Sequence, residues 1–407
     1  MPVRSSADDG FDVAIRCLLL GVPYGMADEG EVLAATGHVP VGSYNAWFDA
    51  LTALGARVEA IADASAAREH QDSARLAYLR ATNYRYAGFW YVLGTSDPSR
   101  WESAWRDHRR CLDESFALTP WIERFDVPWG PGPFPAYLIR GRTGDASTRL
   151  LVVQNGLGAS LSDTLMTGVL DAVARGWSAV AFDGPGQGAT RVLGGVAPAD
   201  DWAAVIAAVI DAVHARAGGA TEFTRVALLG VADGAALALQ AAARDPRVIA
   251  LVCDPGVVRP IDGALGQLPA GLVTSWREQD DDAARFQRLV TAASHDPAIA
   301  FTIAKLTEQW PGHTLHDVLT RLDAWDAAPL LDDIAIPVLV CEPDPAMAYP
   351  GQSAELAAAL GARATLLPFT SAGGAGLDCE VGAPNPRAQG IHDWHDEVVP
   401  DDEGNRR

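Results

Sequence analysis

The sequence has few cysteines and lacks the features of a secreted or membrane-spanning chain. Its five cysteines are an odd number, widely spaced and without a C-x-x-C pair, so we expect free thiols rather than a zinc or redox centre. No apolar run approaches the roughly 18 residues that cross a bilayer. Residues 1–10 are polar and acidic, unlike a secretory signal. We therefore expect a cytoplasmic protein with no membrane partner.

Positive charge is also scarce. The chain carries 31 Lys and Arg residues against 52 Asp and Glu residues, which gives a formal net charge of -21. Binding phosphates requires Lys/Arg patches, so no nucleic-acid partner is expected. Neither G-x-G-x-x-G after a first strand nor G-x-x-x-x-G-K-[ST] occurs, and we predict no nucleotide cofactor and no other cofactor.

The first part of the chain has the pattern of helices. Apolar residues recur at three- and four-residue spacings over 11–118, most clearly at 75–93 and 101–116. The segment 75–93 contains more aromatic residues than one core-facing stripe of a helix can hold. Two explanations stay open, namely that some of the rings face a pocket and that the helix is packed on two sides. We predict a helical domain over 1–118.

After Pro120 the pattern changes to short apolar runs that alternate with helices. Such alternation predicts an α/β fold with a mostly parallel sheet covered by helices on both faces. We assign a core to 119–399, with a longer helical insertion at about 259–334, and a tail to 400–407. The predicted strands are 121–128, 134–140, 150–154, 178–182, 226–229, 249–253, 336–341 and 364–368.

Two glycine-rich turns follow strands of this predicted sheet, where the chemistry of such folds is placed. N-G-L-G at 155–158 follows the strand at 150–154, and the backbone N–H groups at Gly156 and Leu157 could face an oxyanion. D-G-P-G-Q-G at 183–188 resembles a turn of α/β-hydrolases.

A third loop carries the main argument. The strand at 226–229 continues into G-V-A-D-G at 230–234 and then into an alanine-rich helix. This is the strand, turn and helix of the nucleophile elbow G-x-S-x-G, with both glycines in place and Ala232 at the centre. The geometry of an elbow is therefore expected without its nucleophile.

The last two loops extend the resemblance. Asp344 follows the strand at 336–341, where the acid of a hydrolase triad would come, and S-A-G-G-A-G-L-D-C at 371–379 follows the last strand. Together the loops resemble hydrolases similar to 2,6-dihydroxypseudooxynicotine hydrolase, the fungal melanin-pathway enzymes that shorten polyketides, and fermentation-respiration switch proteins. The resemblance implies an eight-stranded α/β-hydrolase fold with an N-terminal helical domain.

The resemblance also implies site residues. In the relatives the last loop resembles E-G-A-G-x-H-C, with the histidine as catalytic base, and Asp378 occupies that place here. The triad positions are then Ala232, Asp344 and Asp378, and only the acid survives. The resemblance extends to the helical region, where Tyr78, Asn83 and Tyr84 are candidate substrate-binding residues, and the aromatic-rich helix adds Trp90.

A histidine from elsewhere in the chain could in principle replace the missing base. His392 and His395 lie on the predicted last helix, and His38, His70 and His108 lie in the N-terminal region. For each of them we favour an ordinary surface or packing role, with His38 and His108 the strongest exceptions.

The sequence leaves three functions open. The favoured one is a non-hydrolytic enzyme in which the N–H groups of Leu157 and Asp233 bind a carbonyl oxygen and Asp378 or Asp233 moves a proton, giving cyclisation, isomerisation or elimination. The others are a binding protein derived from a hydrolase and a serine hydrolase in which Ala232 replaces the nucleophile.

The expected ligand is an aromatic or polyketide-like carbonyl compound, as the resemblance implies. Asp233, Asp344 and Asp378 could cluster as carboxylates for Mg²⁺ or Ca²⁺, but without suitably spaced histidine or cysteine ligands we predict no metal. The sequence leaves a homodimer open. We expect the pocket to lie between the helical domain and the core.

Overall fold

The computed structural model describes five stretches of the chain, namely residues 4–141, 147–216, 222–278, 283–344 and 348–400. Contacts within the chain define two compact units. The first unit consists of Met1–Ile122 and Val381–Pro384, and the second consists of Glu123–Glu380 and Asn385–Arg407. No helix of the described stretches is both long enough and apolar enough to span a membrane.

The first unit is built from α-helices. They are α1 (Asp9–Leu19), α2 (Glu29–Thr36), α3 (Tyr44–Ala66), α4 (Gln71–Phe89) and α5 (Trp101–Ala117). Helix α4 packs against both α3 and α5, and every residue from 81 to 89 is buried. Of the two explanations for its aromatic residues, the structure supports packing on two sides, because a helix covered on two faces buries more than one stripe.

The second unit contains an eight-stranded sheet. Its strands are β1 (Ile122–Val127), β2 (Phe134–Ile139), β3 (Arg149–Gln154), β4 (Ser178–Phe182), β5 (Arg225–Val231), β6 (Val248–Asp254), β7 (Val338–Glu342) and β8 (Ala364–Pro368). The order is β1-β2-β4-β3-β5-β6-β7-β8. Strand β2 pairs with β4 antiparallel, whereas the pairs from β4 to β8 are parallel. The predicted fold class is confirmed.

Helices connect these strands. They are α6 (Leu161–Thr164), α7 (Leu170–Ala174), α8 (Gly188–Val192), α9 (Trp202–Arg216), α10 (Gly234–Arg244), α11 (Ile261–Gly266), α12 (Ala270–Arg277), α13 (Ala283–Ala293), α14 (Pro297–Thr307), α15 (Leu315–Asp323), α16 (Gln352–Leu360) and α17 (Pro384–Val398). Residues 234–242 of α10 are all buried against β5 and β6, because alanine side chains let the helix approach the sheet closely. Helices α11 to α15 form the predicted insertion between β6 and β7.

A buried ion pair supports the carboxyl end of β6. The guanidinium of Arg387 on α17 donates from Nε to Asp254 Oδ2 at 2.5 Å and from Nη2 to the carbonyl oxygen of Thr167 at 3.0 Å. Glu380 lies beside the pair, with its Oε2 3.6 Å from Arg387 Nε. Burial, and then the charge of Asp254, raise the pKa of Glu380 well above its usual range, so the ion pair of Arg387 is with Asp254.

We expect Arg387→Met to lower the free energy of unfolding by about 3–5 kcal/mol, because it leaves the charge of Asp254 buried without a counter-ion. Urea unfolding at neutral pH measures this loss. The control is Arg175→Met, which removes a more exposed pair with Asp393 and should cost about 1 kcal/mol or less. Adding Asp254→Asn to Arg387→Met should recover part of the loss. Equal losses for the two single variants would contradict the assignment.

Candidate active site

The turn between β5 and α10 has the geometry of a nucleophile elbow. Ala232 adopts the left-handed conformation with φ of 53°, which is unfavourable for a residue with a Cβ. Its N–H donates to the carbonyl oxygen of Asp254 at 2.8 Å. Two residues later the chain approaches β3 so closely that a Cβ at Gly234 would lie 2.5 Å from the carbonyl oxygen of Gln154. The tip of the turn therefore presents a methyl group at the place of the nucleophile.

The side chain of Asp233 turns back towards the loop after β3. The N–H of Leu157 donates to both oxygens of the Asp233 carboxylate, at 3.2 and 3.3 Å. A Cβ at Gly156 would lie 2.0 Å from Asp233 Oδ1, so only glycine leaves room for this contact. The predicted oxyanion donor at Leu157 is thus occupied by a carboxylate of the chain itself.

The D-G-P-G-Q-G turn holds this loop in place. Gln187 Nε2 donates to the carbonyl oxygens of Asn155 and Gly156 at 2.7 and 3.0 Å. Asp183 is fully buried and accepts from the N–H groups of Leu161 and Ala189 at 2.7 and 2.9 Å. Because both carbonyl groups are bonded to Gln187, the orientation of the peptides before Leu157 is fixed.

The Asp233 carboxyl is tuned to titrate near neutral pH. Burial raises its pKa to about 6, while the hydrogen bond from Leu157 and the positive charge of Lys305 act in the opposite direction. At neutral pH most of the Asp233 population is therefore ionised, and a modest change in surroundings would protonate it.

Asp233 lies on a cavity of about 180 Å³. Its lining combines apolar side chains with a few polar groups: Leu157, Asp233, Pro260, Gly263, Ala264, Gln267, Lys305, Leu306, Gln309, Trp310, Leu322 and Tyr349. Most of these residues belong to the insertion between β6 and β7, which therefore forms much of the cavity wall. The sequence alone did not identify the polar residues that the insertion contributes to the cavity, although one of them, Lys305, is the single lysine among 407 residues.

Tyr349 and Glu308 add two further titratable groups to this region. Burial, and then the charge of Asp233, keep the pKa of Tyr349 well above its usual range, so its phenol remains protonated. Burial raises the pKa of Glu308 to about 7 against the charges of Arg191 and Lys305, and Glu308 forms an ion pair with Arg191 at 2.6 Å. Tyr349 can donate a hydrogen bond into the cavity at neutral pH.

The two other predicted triad positions do not line this cavity. Asp344 is exposed and lines a separate depression of about 450 Å³ with Glu342, and its role as the acid of the site stays a prediction. Asp378 accepts a hydrogen bond from the N–H of Ala348 at 2.9 Å, next to Tyr349. Asp378 therefore anchors the segment that carries Tyr349, and a direct proton transfer by Asp378 stays a prediction.

The histidines with resolved pKa shifts do not supply a base. Burial lowers the pKa of His108 and of His395 to about 3, and that of His392 well below its usual value. His108 Nδ1 lies 3.0 Å from the carbonyl oxygen of Thr82 inside the helical unit. A histidine that stays neutral at such low pH is a weak base, which supports the packing role.

Three of the predicted substrate-binding residues have partners inside the helical unit. Tyr78 donates to Asp63 at 2.6 Å, Tyr84 donates to Glu31 at 2.7 Å, and Asn83 donates to the carbonyl oxygen of Met26 at 3.1 Å.

All three side chains, Tyr78, Asn83 and Tyr84, are buried and take part in packing, and their contact with substrate stays a prediction. Trp90 is half-buried and packs edge-on against Tyr86, and its contact with substrate stays a prediction.

Among the described residues, one group of three potential metal ligands lies within 4.8 Å, namely Asp254, Cys341 and Glu380. Arg387 already balances the charge of Asp254, and burial keeps the pKa of the Cys341 thiol well above its usual value. A metal would have to displace the proton of Cys341 beside a guanidinium, so the donor set fits a cation poorly.

Comparison with solved structures agrees with this fold. The 2,6-dihydroxy-pseudo-oxynicotine hydrolase superposes with a TM-score of 0.72 at 19% sequence identity, covering 94% of this chain and 95% of that one. AbyA5 superposes with a TM-score of 0.60 at 17% identity, covering 97% and 96%. These similarities show a shared fold along nearly the whole chain.

Sequence comparison gives relatives in fungi. Hydrolase acrC of Aspergillus aculeatus is 29% identical over 285 residues, and 20-hydroxy-prefusarin hydrolase FUS2 of Gibberella moniliformis is 26% identical over 282 residues. Each alignment spans 66% of this chain and 66% of the relative. The profile of the Alpha/beta hydrolase family matches residues 150–376, which include β3 to β8 and the elbow. The chain belongs to the Alpha/beta hydrolase family.

Proposed function

We propose that this protein is an α/β-hydrolase-fold enzyme that moves a proton on a carbonyl compound without forming a covalent intermediate. The reaction would be an isomerisation, cyclisation or elimination, with Asp233 as the base. The observation that carries the proposal is the Asp233 carboxylate itself, which lies on the cavity, accepts the N–H of Leu157 and has a pKa of about 6.

A carboxyl group with this pKa suits proton transfer near neutral pH. A general base works best when its pKa is close to the operating pH, because it is then ionised and still holds the proton it removes. The hydrogen bond from Leu157 orients the Asp233 carboxylate. Burial, and not a neighbouring acid, is the main cause of the raised pKa of Asp233.

The remaining polar groups of the cavity suit stabilisation of a carbonyl oxygen. Tyr349 keeps its proton, and Gln267 and Gln309 carry amide groups that can donate hydrogen bonds. Removing a proton next to a carbonyl group develops negative charge on the carbonyl oxygen. Donors that are already in place stabilise this charge more than water does.

The substrate we propose is an aromatic or polyketide-like carbonyl compound. Two similar proteins, 20-hydroxy-prefusarin hydrolase and 2,6-dihydroxy-pseudo-oxynicotine hydrolase, are named for compounds of this kind. The apolar wall formed by Leu306, Trp310 and Leu322 suits a flat ring. At about 180 Å³ the cavity is smaller than typical ligand sites, so it would hold the reacting ring rather than a whole polyketide.

A serine hydrolase with Ala232 in place of the nucleophile is the second candidate. The left-handed turn at Ala232 favours it, because that conformation is the one an elbow needs. Two contacts oppose it. Asp233 accepts the N–H of Leu157 that would bind the oxyanion, and Asp378, which replaces the histidine of the sequence pattern, accepts the N–H of Ala348.

Proton abstraction can be tested without the natural substrate. We expect the protein to accelerate exchange of the α-protons of cyclohexanone in D₂O, followed by proton NMR, with a rate that rises as pH increases through about 6. Asp233→Asn should reduce this acceleration by about 10²- to 10⁴-fold, since it removes the base. The control Asp211→Asn removes an exposed carboxylate on α9 and should change nothing. Undiminished exchange in Asp233→Asn would overturn the proposal.

The hydrolase alternative predicts a different result. Ester hydrolysis and fluorophosphonate labelling should be absent in the protein, in Ala232→Ser and in Ala232→Ser with Asp378→His, because the Asp233 carboxylate repels an oxyanion at Leu157. Strong labelling and turnover of Ala232→Ser alone would instead favour an altered hydrolase. A triple variant that adds Asp233→Ala frees the N–H of Leu157, and it therefore tests whether repulsion by the Asp233 carboxylate is what prevents hydrolysis.

The raised pKa of Asp233 should also make the free energy of unfolding depend on pH. Its pKa in the folded protein, about 6, lies above the ordinary value of 3.8, so its contribution to stability is fully present below about pH 4 and is lost as pH rises through 6. Asp233→Asn changes the free energy of unfolding at each pH, and we expect this change to be more stabilising at pH 8 than at pH 4 by about 2–3 kcal/mol. Urea unfolding at both pH values measures the difference, and the same effect at both would contradict the raised pKa.

A further inference from the structure

The single lysine of the chain lies at the proposed site. Of the 31 Lys and Arg residues, Lys305 alone is a lysine. It belongs to α14 and lines the cavity together with Asp233 and Tyr349. Among the described residues that line this cavity, Lys305 is the only one with a positive charge.

The charge of Lys305 acts on the inside of the cavity. It lowers the pKa of Asp233 and of Glu308 against the larger effect of burial. The chain as a whole has a net charge of -21, so it repels anions in general. A negatively charged ligand would therefore need a local positive charge, and Lys305 provides one beside the Asp233 base.

We infer that Lys305 binds a negatively charged oxygen of the ligand, so that the site takes carbonyl compounds that carry a carboxylate or an acidic enol. The carbonyl part of this inference rests on the proposed function, whereas the anionic part rests on Lys305. A lysine ammonium binds anionic oxygen as a compact point charge and does not require a planar partner. The amides of Gln267 and Gln309 can complete the hydrogen bonds of the same oxygen atoms.

Because the chain has a single lysine, ligand binding at Lys305 can be measured directly by labelling that side chain. Reductive methylation with ¹³C-formaldehyde labels Lys305 and the α-amino group of the chain and keeps the positive charge of both. We expect cyclohexane-1,3-dione, which is an enolate at neutral pH, and cyclohexanecarboxylate to shift the NMR signal of labelled Lys305. Cyclohexanone, a neutral ring of the same size, should leave it unchanged. If neither anion shifts the signal, the inference is overturned.

Variants give the second measurement. By calorimetry, Lys305→Met should weaken binding of both anions about two- to fivefold and Lys305→Arg should retain most of the affinity, as expected for an exposed charge. The control Arg321→Met removes the same amount of charge from α15 outside the cavity lining and should have no effect. Equal binding by Lys305→Met and the unaltered protein would sink the inference. A loss for one anion only would identify which of the two oxygen groups the site takes.

Failure of this inference can be told apart from failure of the proposed function. Asp233→Asn removes the base and one negative charge, so it should bind the two anions at least as tightly while losing proton exchange. If exchange survives Asp233→Asn but anion binding still depends on Lys305, the proposed function is wrong and the anion site stands. If exchange requires Asp233 but anion binding ignores Lys305, only the anion site is wrong.

Discussion

The left-handed turn at Ala232 is the constraint on which the site depends. It ends β5, starts α10 and places Asp233 so that its side chain reaches the loop after β3. The strain of the turn is balanced by the hydrogen bond from Ala232 to Asp254 and by the helix that follows, which is buried over residues 234–242. In a serine hydrolase the same turn would present a hydroxyl group. Here it delivers the next side chain, a carboxylate, to the N–H of Leu157.

Two carboxylates near this turn, the buried Asp254 and the half-buried Asp233, behave differently because their surroundings differ. Asp254 has a guanidinium within hydrogen-bonding distance and forms a full ion pair with it, so Asp254 serves the fold. Asp233 has backbone N–H donors and the charge of Lys305 but no guanidinium, so burial dominates and its pKa rises. The contrast follows the general rule that a buried charge either finds a full counter-ion or becomes easy to neutralise. Only the second kind of group can exchange a proton with a ligand.

Much of the fold could be predicted from the sequence, because apolar runs of strand length alternate with helices and because the loops at 183–188 and 230–234 have distinctive glycine patterns. The observed strands at 178–182 and 364–368 even have the predicted bounds. The chemistry was harder to predict. The direction of the Asp233 side chain depends on the space left by Gly156, and no local pattern reports such a distant contact.

The residues of the insertion were missed for a related reason. Lys305 lies on a helix of the insertion and does not follow a strand, so the rule that looks at strand ends does not select it. Conversely, Tyr78, Asn83 and Tyr84 were selected by resemblance alone, and their hydrogen bonds inside the helical unit show that a matching residue can serve packing. A count of rare residue types would have pointed to Lys305.

The fit between Gly156 and Asp233 also limits the order in which this site could have arisen. In the observed rotamer any side chain at 156 would overlap the carboxylate, so glycine at 156 had to be present before an aspartate could settle at 233. An alanine at 232 meets no such steric barrier, since it fits wherever the larger serine would fit. A return to serine chemistry would accordingly need two changes at the elbow, one at 232 to restore a hydroxyl group and one at 233 to vacate the N–H of Leu157.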